Sequence, residues 1–163
     1  MLFFFQQIPQ HTFVIYESLK QNIMTEVTVN KTIQVPASRA WATLSSFRNI
    51  EEISPIAKSE TIGEGAGATR TCYMPDGAAI HEILNKVEDA TMEMQYKITQ
   101  GPFPISGYIS DVKVEAIGDA SCKVTWGCQF ETEEANNPAM IELFEGFYHA
   151  IIEGLETMIQ NKN

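Results

Sequence analysis

Beyond Asn136-Asn137-Pro138 the hydrophobic pattern changes period. Ile141, Phe144, Tyr148, Ile151, Leu155, Met158 and Ile159 recur at three- and four-residue intervals, while Glu142, Glu145, Glu153 and Glu156 fall elsewhere. That spacing predicts a helix of about six turns with one apolar face. A stripe of this length needs a surface to cover it, and what precedes it reads almost entirely as strand. Val27, Val29, Ile33 and Val35 alternate with polar residues, giving a first strand over 26–35 that Pro36 ends. Six further strand candidates cover 56–63, 68–74, 78–88, 92–99, 106–117 and 121–132. Their links are short and rich in Gly, Pro and Asp, which favours an antiparallel meander, because parallel pairs need long crossovers. After the first strand, Ser38 can cap a short helix carrying Trp41, Leu44 and Phe47 at helical spacing, and a second short helix or turn runs to Ser54-Pro55. The expected fold class is therefore α+β, a curved antiparallel sheet of seven strands with helices packed on one face.

At 163 residues the chain is the size of one domain and can bury a full core. The patterned sequence begins near Met24, so residues 1–23 read as a leader or over-called start, and residues 24–163 as the domain. If the leader belongs to the protein, 13–16 supplies an edge strand or an intersubunit contact. A net charge of −10, with 11 Lys and Arg scattered through the chain, argues against nucleic acid and against anionic membranes. No stable membrane insertion is expected, since the apolar start lacks a basic flank and Pro9 interrupts it. Cys72, Cys122 and Cys128 form no C-x-x-C pair, and their odd number fits a reducing, cytoplasmic setting. Cys122 and Cys128 lie on one predicted strand about 20 Å apart, so they cannot bridge each other. A monomer and a homodimer remain equally compatible with the pattern.

The hairpin around residues 75–77 decides where two charges point. A two-residue Asp76-Gly77 turn would put Arg70 and Glu82 on opposite faces of the sheet. A three-residue Pro75-Asp76-Gly77 loop sets Met74 opposite Ala78, Cys72 opposite Ile80 and Arg70 opposite Glu82. The fixed φ of Pro75 suits the first central position of a type I turn and not the positive φ of a type I′ turn, which favours the three-residue loop. Arg70 and Glu82 then share a face with Ala68, Cys72, Met74, Ala78, Ile80 and Leu84. The opposite face carries Thr69, Thr71, Tyr73, His81 and Asn85. Two readings of the pair stay open: an exposed cross-strand contact near the sheet end, worth well under ~1 kcal/mol, or an ion pair facing into an apolar interior.

The Gly63–Gly67 run leads into a strand and not a helix, so it lacks the N-terminal amides of a phosphate-binding loop and reads as a turn bordering a cavity mouth. No H-E-x-x-H, Cys/His cluster or G-x-S-x-G elbow occurs, and His11, His81 and His149 are far apart in sequence. No metal and no cofactor are expected, and covalent catalysis has no support.

Taken in order, VPASRAWATLSSF, GEGAGATR, PDGAAIHEILNKVED, YKITQGPFPISGYISDVKV, WGCQFE and the terminal helix make the chain from about Val27 to Gln160 resemble the polyketide cyclase/dehydrase and lipid-transport group of the START-like, or birch-allergen-like, superfamily. The resemblance implies a helix-grip fold: a seven-stranded antiparallel sheet wrapped around the long C-terminal helix, enclosing a cavity for an apolar small molecule. It also makes residues 24–163 a single START-like ligand-binding domain. In relatives such as the plant lachrymatory-factor synthases an Arg and a Glu on neighbouring strands are implicated in proton transfer, and Arg70 and Glu82 look like their counterparts. The wall of the expected cavity draws on Tyr96, Tyr108, Trp126, Phe130, Phe144, Phe147 and Tyr148, with Ile80, Leu84, Phe103 and Ile151 beside them. Two functions follow. One is a binder of an aromatic, polyketide-like or acyl ligand, in which Arg70 anchors a carboxylate, enolate or carbonyl. The other is a cofactor-independent cyclase, dehydratase or isomerase, in which Glu82 moves a proton and Arg70 stabilises the oxyanion.

Overall fold

The computed structural model describes residues 20–162. The expectations for His11, for 13–16 and for most of the leader lie outside the described residues. Seven strands, β1 (Asn22–Ile33), β2 (Lys58–Ile62), β3 (Thr69–Tyr73), β4 (Ala79–Glu88), β5 (Glu93–Gln100), β6 (Ile105–Gly118) and β7 (Ser121–Glu133), form one antiparallel sheet. The strand order is β1-β7-β6-β5-β4-β3-β2. The expected meander thus runs from β2 to β7, and β1 returns to pair with β7 from Asn22 opposite Glu133 to Ile33 opposite Cys122. Helix α1 (Ala37–Ser45) and a 3-10 turn at Ile50–Glu52 connect the two edge strands, and α2 (Asn137–Asn161) runs for 25 residues against the sheet.

Alternation explains how sheet and helix meet. Along β7, Cys122, Val124, Trp126, Cys128 and Phe130 all point inward and are buried, the period of two that a strand imposes. From α2 come Phe144, Tyr148, Ile151, Ile152, Leu155 and Ile159. Ile152 joins the buried stripe outside the expected set, while Ile141 and Met158 are only half-buried. Gly154 lies where α2 crosses the end of the 3-10 turn. A Cβ there would come within 2.1 Å of the Ile53 carbonyl oxygen, so the helix backbone touches the turn directly.

Two local expectations are corrected. Ser38 is not a cap: α1 already begins at Ala37, and the extended Pro36 precedes it, with its carbonyl accepting from the Arg39 and Ala40 amides at 3.1 Å each. Proline presets the entry angle and brings no amide that needs a partner. Phe47 does not continue the helix, for it lies beyond Ser45 in the left-handed region at φ 57°.

Candidate functional site

The β3–β4 hairpin adopts the three-residue loop. The Gly77 amide donates to the Met74 carbonyl at 2.8 Å, the Met74 amide donates to the Ala78 carbonyl at 2.9 Å, and Gly77 takes φ +89°. Asp76 Oδ1 accepts from the Ala78 amide at 2.9 Å and firms the turn. The resulting register sets Cys72 opposite Ile80 and Arg70 opposite Glu82. Both charges point into the interior, Arg70 with 4 % and Glu82 with 8 % of its surface exposed. This removes the exposed-contact reading of the pair.

Arg70 Nε donates to Glu82 Oε2 at 2.6 Å, and the Cys72 thiol donates to the same oxygen at 3.5 Å. The guanidinium carbon lies 3.9 Å from the centre of the Phe47 ring and 5.7 Å from that of Tyr96, so two aromatic faces also meet the charge. Burial works against that charge, but the Glu82 carboxylate more than offsets it and the Arg70 pKa is raised. Burial, reinforced by Glu82, pushes the Cys72 thiol up to about 12. The same two causes push the Tyr96 phenol up to about 12. Both groups are therefore neutral hydrogen-bonding groups near neutral pH.

Arg70 and Glu82 line a cavity whose other walls are apolar. Of the residues expected there, Ile80 from β4, Tyr96 from β5, Tyr108 from β6, Trp126 from β7, and Phe144, Phe147 and Ile151 from α2 reach its surface, as does Phe103 from the β5–β6 link. Leu84, Phe130 and Tyr148 do not. They are fully buried in the core, where Tyr148 stacks on Trp126 and shares a hydrogen bond with the Tyr108 hydroxyl, and Phe130 packs on Phe144. Ile50, Ile56, Cys72, Met74, Ile98 and Leu143 also line the cavity. Cys72, Met74 and Ile98 share the inward parity of their strands, a signal the sequence already carried. Ile50 opens the 3-10 turn and Ile56 lies just ahead of β2, which begins at Lys58 and not at 56 as expected, so neither sits in an element long enough to show a period.

The half-buried Met74, Ile98, Phe103 and Phe147 and the exposed Leu143 mark the open side. The cavity volume is about 70 Å³, room for a few waters. The unfilled space around it, counting the open side, comes to about 600 Å³. The Gly63–Gly67 loop does not border this mouth. It lies at the Thr69 end of β3, tied to Arg48, which donates to the Thr61 and Gly63 carbonyls at 3.3 and 2.9 Å. The cavity opens at the other end of β3, beside Met74. Among the described residues no group of three or more His, Cys, Asp and Glu is placed to hold a metal ion, and no helix is long and apolar enough to cross a membrane.

The fold has solved counterparts. The protein XoxI from Bacillus cereus superposes with a TM-score of 0.76 at 24% identity, over 85% of this chain and 99% of its own. A protein from Nitrosospira multiformis gives 0.69 at 19% identity, over 82% and 94%. Norcoclaurine synthase from Thalictrum flavum, solved with dopamine and hydroxybenzaldehyde, gives 0.72 at 13% identity, over 97% and 98%. No curated protein matches the sequence. The family model for polyketide cyclase/dehydrase and lipid transport matches residues 24–160. Those residues contain all but the first two positions of β1, every later strand and nearly all of α2, so the chain belongs to the polyketide cyclase/dehydrase and lipid-transport family of the START-like superfamily.

Proposed function

We propose that the chain binds a small, mostly apolar molecule in this cavity, with the Arg70–Glu82 pair at the ligand's polar end. The observation that carries the reading is a buried ion pair set in the wall of an otherwise apolar cavity. Removing two charges from water costs several kcal/mol per ion, and apolar residues of the same volume would fill the space without that cost. A polar ligand group gives the pair a role that core packing does not. The ring-rich walls, from Tyr96, Phe103, Tyr108, Trp126 and Phe144, favour an aromatic or polyketide-like ligand over a long acyl chain, and the limited volume favours a single ring. Native mass spectrometry of freshly purified protein tests this. A defined adduct that leaves on gentle activation supports it, whereas a bare mass, together with no thermal stabilisation across a panel of single-ring compounds, would overturn it.

A second reading is favoured by the same pair. Norcoclaurine synthase shows that this fold accommodates an enzyme, and a carboxylate held beside a guanidinium can move a proton while the resulting oxyanion is stabilised. Here Glu82 would be the acid/base and Arg70 the oxyanion partner, in a cyclisation, dehydration or isomerisation. Glu82→Gln separates the readings. In the enzyme it lowers kcat by roughly 10²–10⁴-fold with a far smaller change in ligand Kd, and a variant that turns over like wild type would leave binding alone.

A further inference from the structure

We infer that the ligand group seated at the Arg70–Glu82 pair is neutral and carries a hydrogen-bond donor next to an acceptor, as a hydroxyl beside a carbonyl does. The inference rests on the proposal that the cavity binds a ligand, and it specifies that ligand's polar end. Arginine has five N–H donors and a carboxylate about four acceptor sites. Beyond each other, the guanidinium has no hydrogen-bond partner among the described residues, and the carboxylate has one, the Cys72 thiol. A guanidinium joined to a carboxylate through Nε can bring at most one terminal nitrogen to that carboxylate, so at least one is unpartnered. No fully enclosed side-chain nitrogen or oxygen among the described residues lacks a partner. That terminal nitrogen therefore meets open space, and the open space Arg70 borders is the cavity. Glu82 keeps spare acceptor sites on the same wall. The cavity thus offers a donor and an acceptor side by side.

Charge narrows the choice further. The formal charges of Arg70 and Glu82 cancel, and the titratable groups beside them, Cys72 and Tyr96, are held neutral by burial, while the half-buried Glu51, whose carboxylate accepts from Ser59, acts on Cys72 only as the weakest of its electrostatic influences. A carboxylate ligand would add a third buried charge and leave one negative charge unmatched, and an ammonium would leave one positive charge unmatched. An uncompensated buried charge is the costly case. A neutral ligand with both functions meets the site on its own terms: its acceptor takes an Arg70 N–H and its hydroxyl donates to Glu82. Of the three anchors considered for Arg70, the carbonyl is retained and the carboxylate is not.

Four single-ring probes of similar size test this at pH 7: 2-hydroxy-1-phenylethanone (neutral, hydroxyl beside carbonyl), mandelate (anion), 2-amino-1-phenylethanol (cation) and ethylbenzene (no polar group). Binding is read by calorimetry and by the shift of the Trp126 indole N–H resonance, which reports the cavity wall. Wild type is expected to bind the neutral hydroxyketone at least about tenfold tighter than either ion, and tighter than ethylbenzene. In Glu82→Gln, with its fold checked by circular dichroism, Arg70 is unbalanced and the preference is expected to swing to mandelate. Tighter binding of mandelate or of the amine by wild type would overturn the inference while leaving cavity binding intact, as would ethylbenzene matching the hydroxyketone. If none of the four moves the Trp126 resonance, the binding reading itself falls and takes the inference with it.

Discussion

Arg70 holds its charge in an apolar interior because its neighbours divide the task. Glu82 supplies the counter-charge at 2.6 Å, Phe47 offers its ring face at 3.9 Å, and the Cys72 thiol donates to the same carboxylate oxygen. Removing one member of such a pair strands the other. Arg70→Met alone is expected to cost about 3–5 kcal/mol, whereas the double change Arg70→Met with Glu82→Leu should recover most of that loss, since an apolar pair of similar volume is often as stable as a buried ion pair. Urea denaturation of the three proteins measures this. If the double variant regains stability but no longer binds the hydroxyketone, the pair is kept for the ligand; if it stays as unstable as the single variant, the pair is structural. Much of this residue-scale arrangement was legible in advance. Pro75 selects the loop, the loop sets the register, and the register puts Arg70 opposite Glu82. The Phe47 contact was not legible, because its spacing from Trp41 and Leu44 imitates a helix that ends before it, and the left-handed φ that carries its ring to Arg70 leaves no mark on hydrophobic pattern.

At the scale of elements, α2 carries two glycines with opposite demands. A Cβ on Gly154 would strike the backbone of Ile53, while one on Gly146 would meet nothing within 4 Å. Gly146→Ala should therefore stabilise the protein by about 0.5–1 kcal/mol through helix propensity. Gly154→Ala should destabilise it by about 1–3 kcal/mol through overpacking, and should loosen ligand binding as well, because the 3-10 turn it displaces carries Ile50 into the cavity wall. Thermal melts of both variants check the pair of signs, and equal effects would refute the direct contact. The elements themselves were readable because each has a clean period, two for the strands and three to four for α2. Period fixes which face a residue points to and says nothing of depth along the element. Leu84, Phe130 and Tyr148 share parity or stripe with true wall residues, yet neighbouring side chains cover them before the cavity is reached. The lining from Ile50 and Ile56 has the converse cause, since a single 3-10 turn and a short link are placed by what packs on them.

For the whole molecule, the interior is notable for how many weak acids it keeps protonated. Burial raises the pKa of Cys72, Cys122 and Cys128 and of Tyr96, Tyr108 and Tyr148, with Cys128 pushed up to about 11 and Cys72 and Tyr96 to about 12. In the unfolded chain the thiols ionise near 9.0 and the phenols near 10.0. Between those values and the folded ones, the unfolded state binds fewer protons than the folded state, so the free energy of unfolding falls as pH rises. The contribution of these groups is complete below about pH 9 and is lost progressively toward pH 12. Each proton lost also adds to a net charge already at −10, and self-repulsion pushes the same way. Urea midpoints followed by circular dichroism should hold steady from pH 7 to 8.5 and then decline ever more steeply to pH 11. Cys72→Ala should flatten that decline whatever it does to the stability at pH 7, because it removes one of the groups that must surrender a proton. A midpoint that stays level to pH 11, or a Cys72→Ala profile parallel to wild type, would mean that water reaches these side chains in the folded protein, and with it the cavity beside them would be wetter than its apolar walls imply.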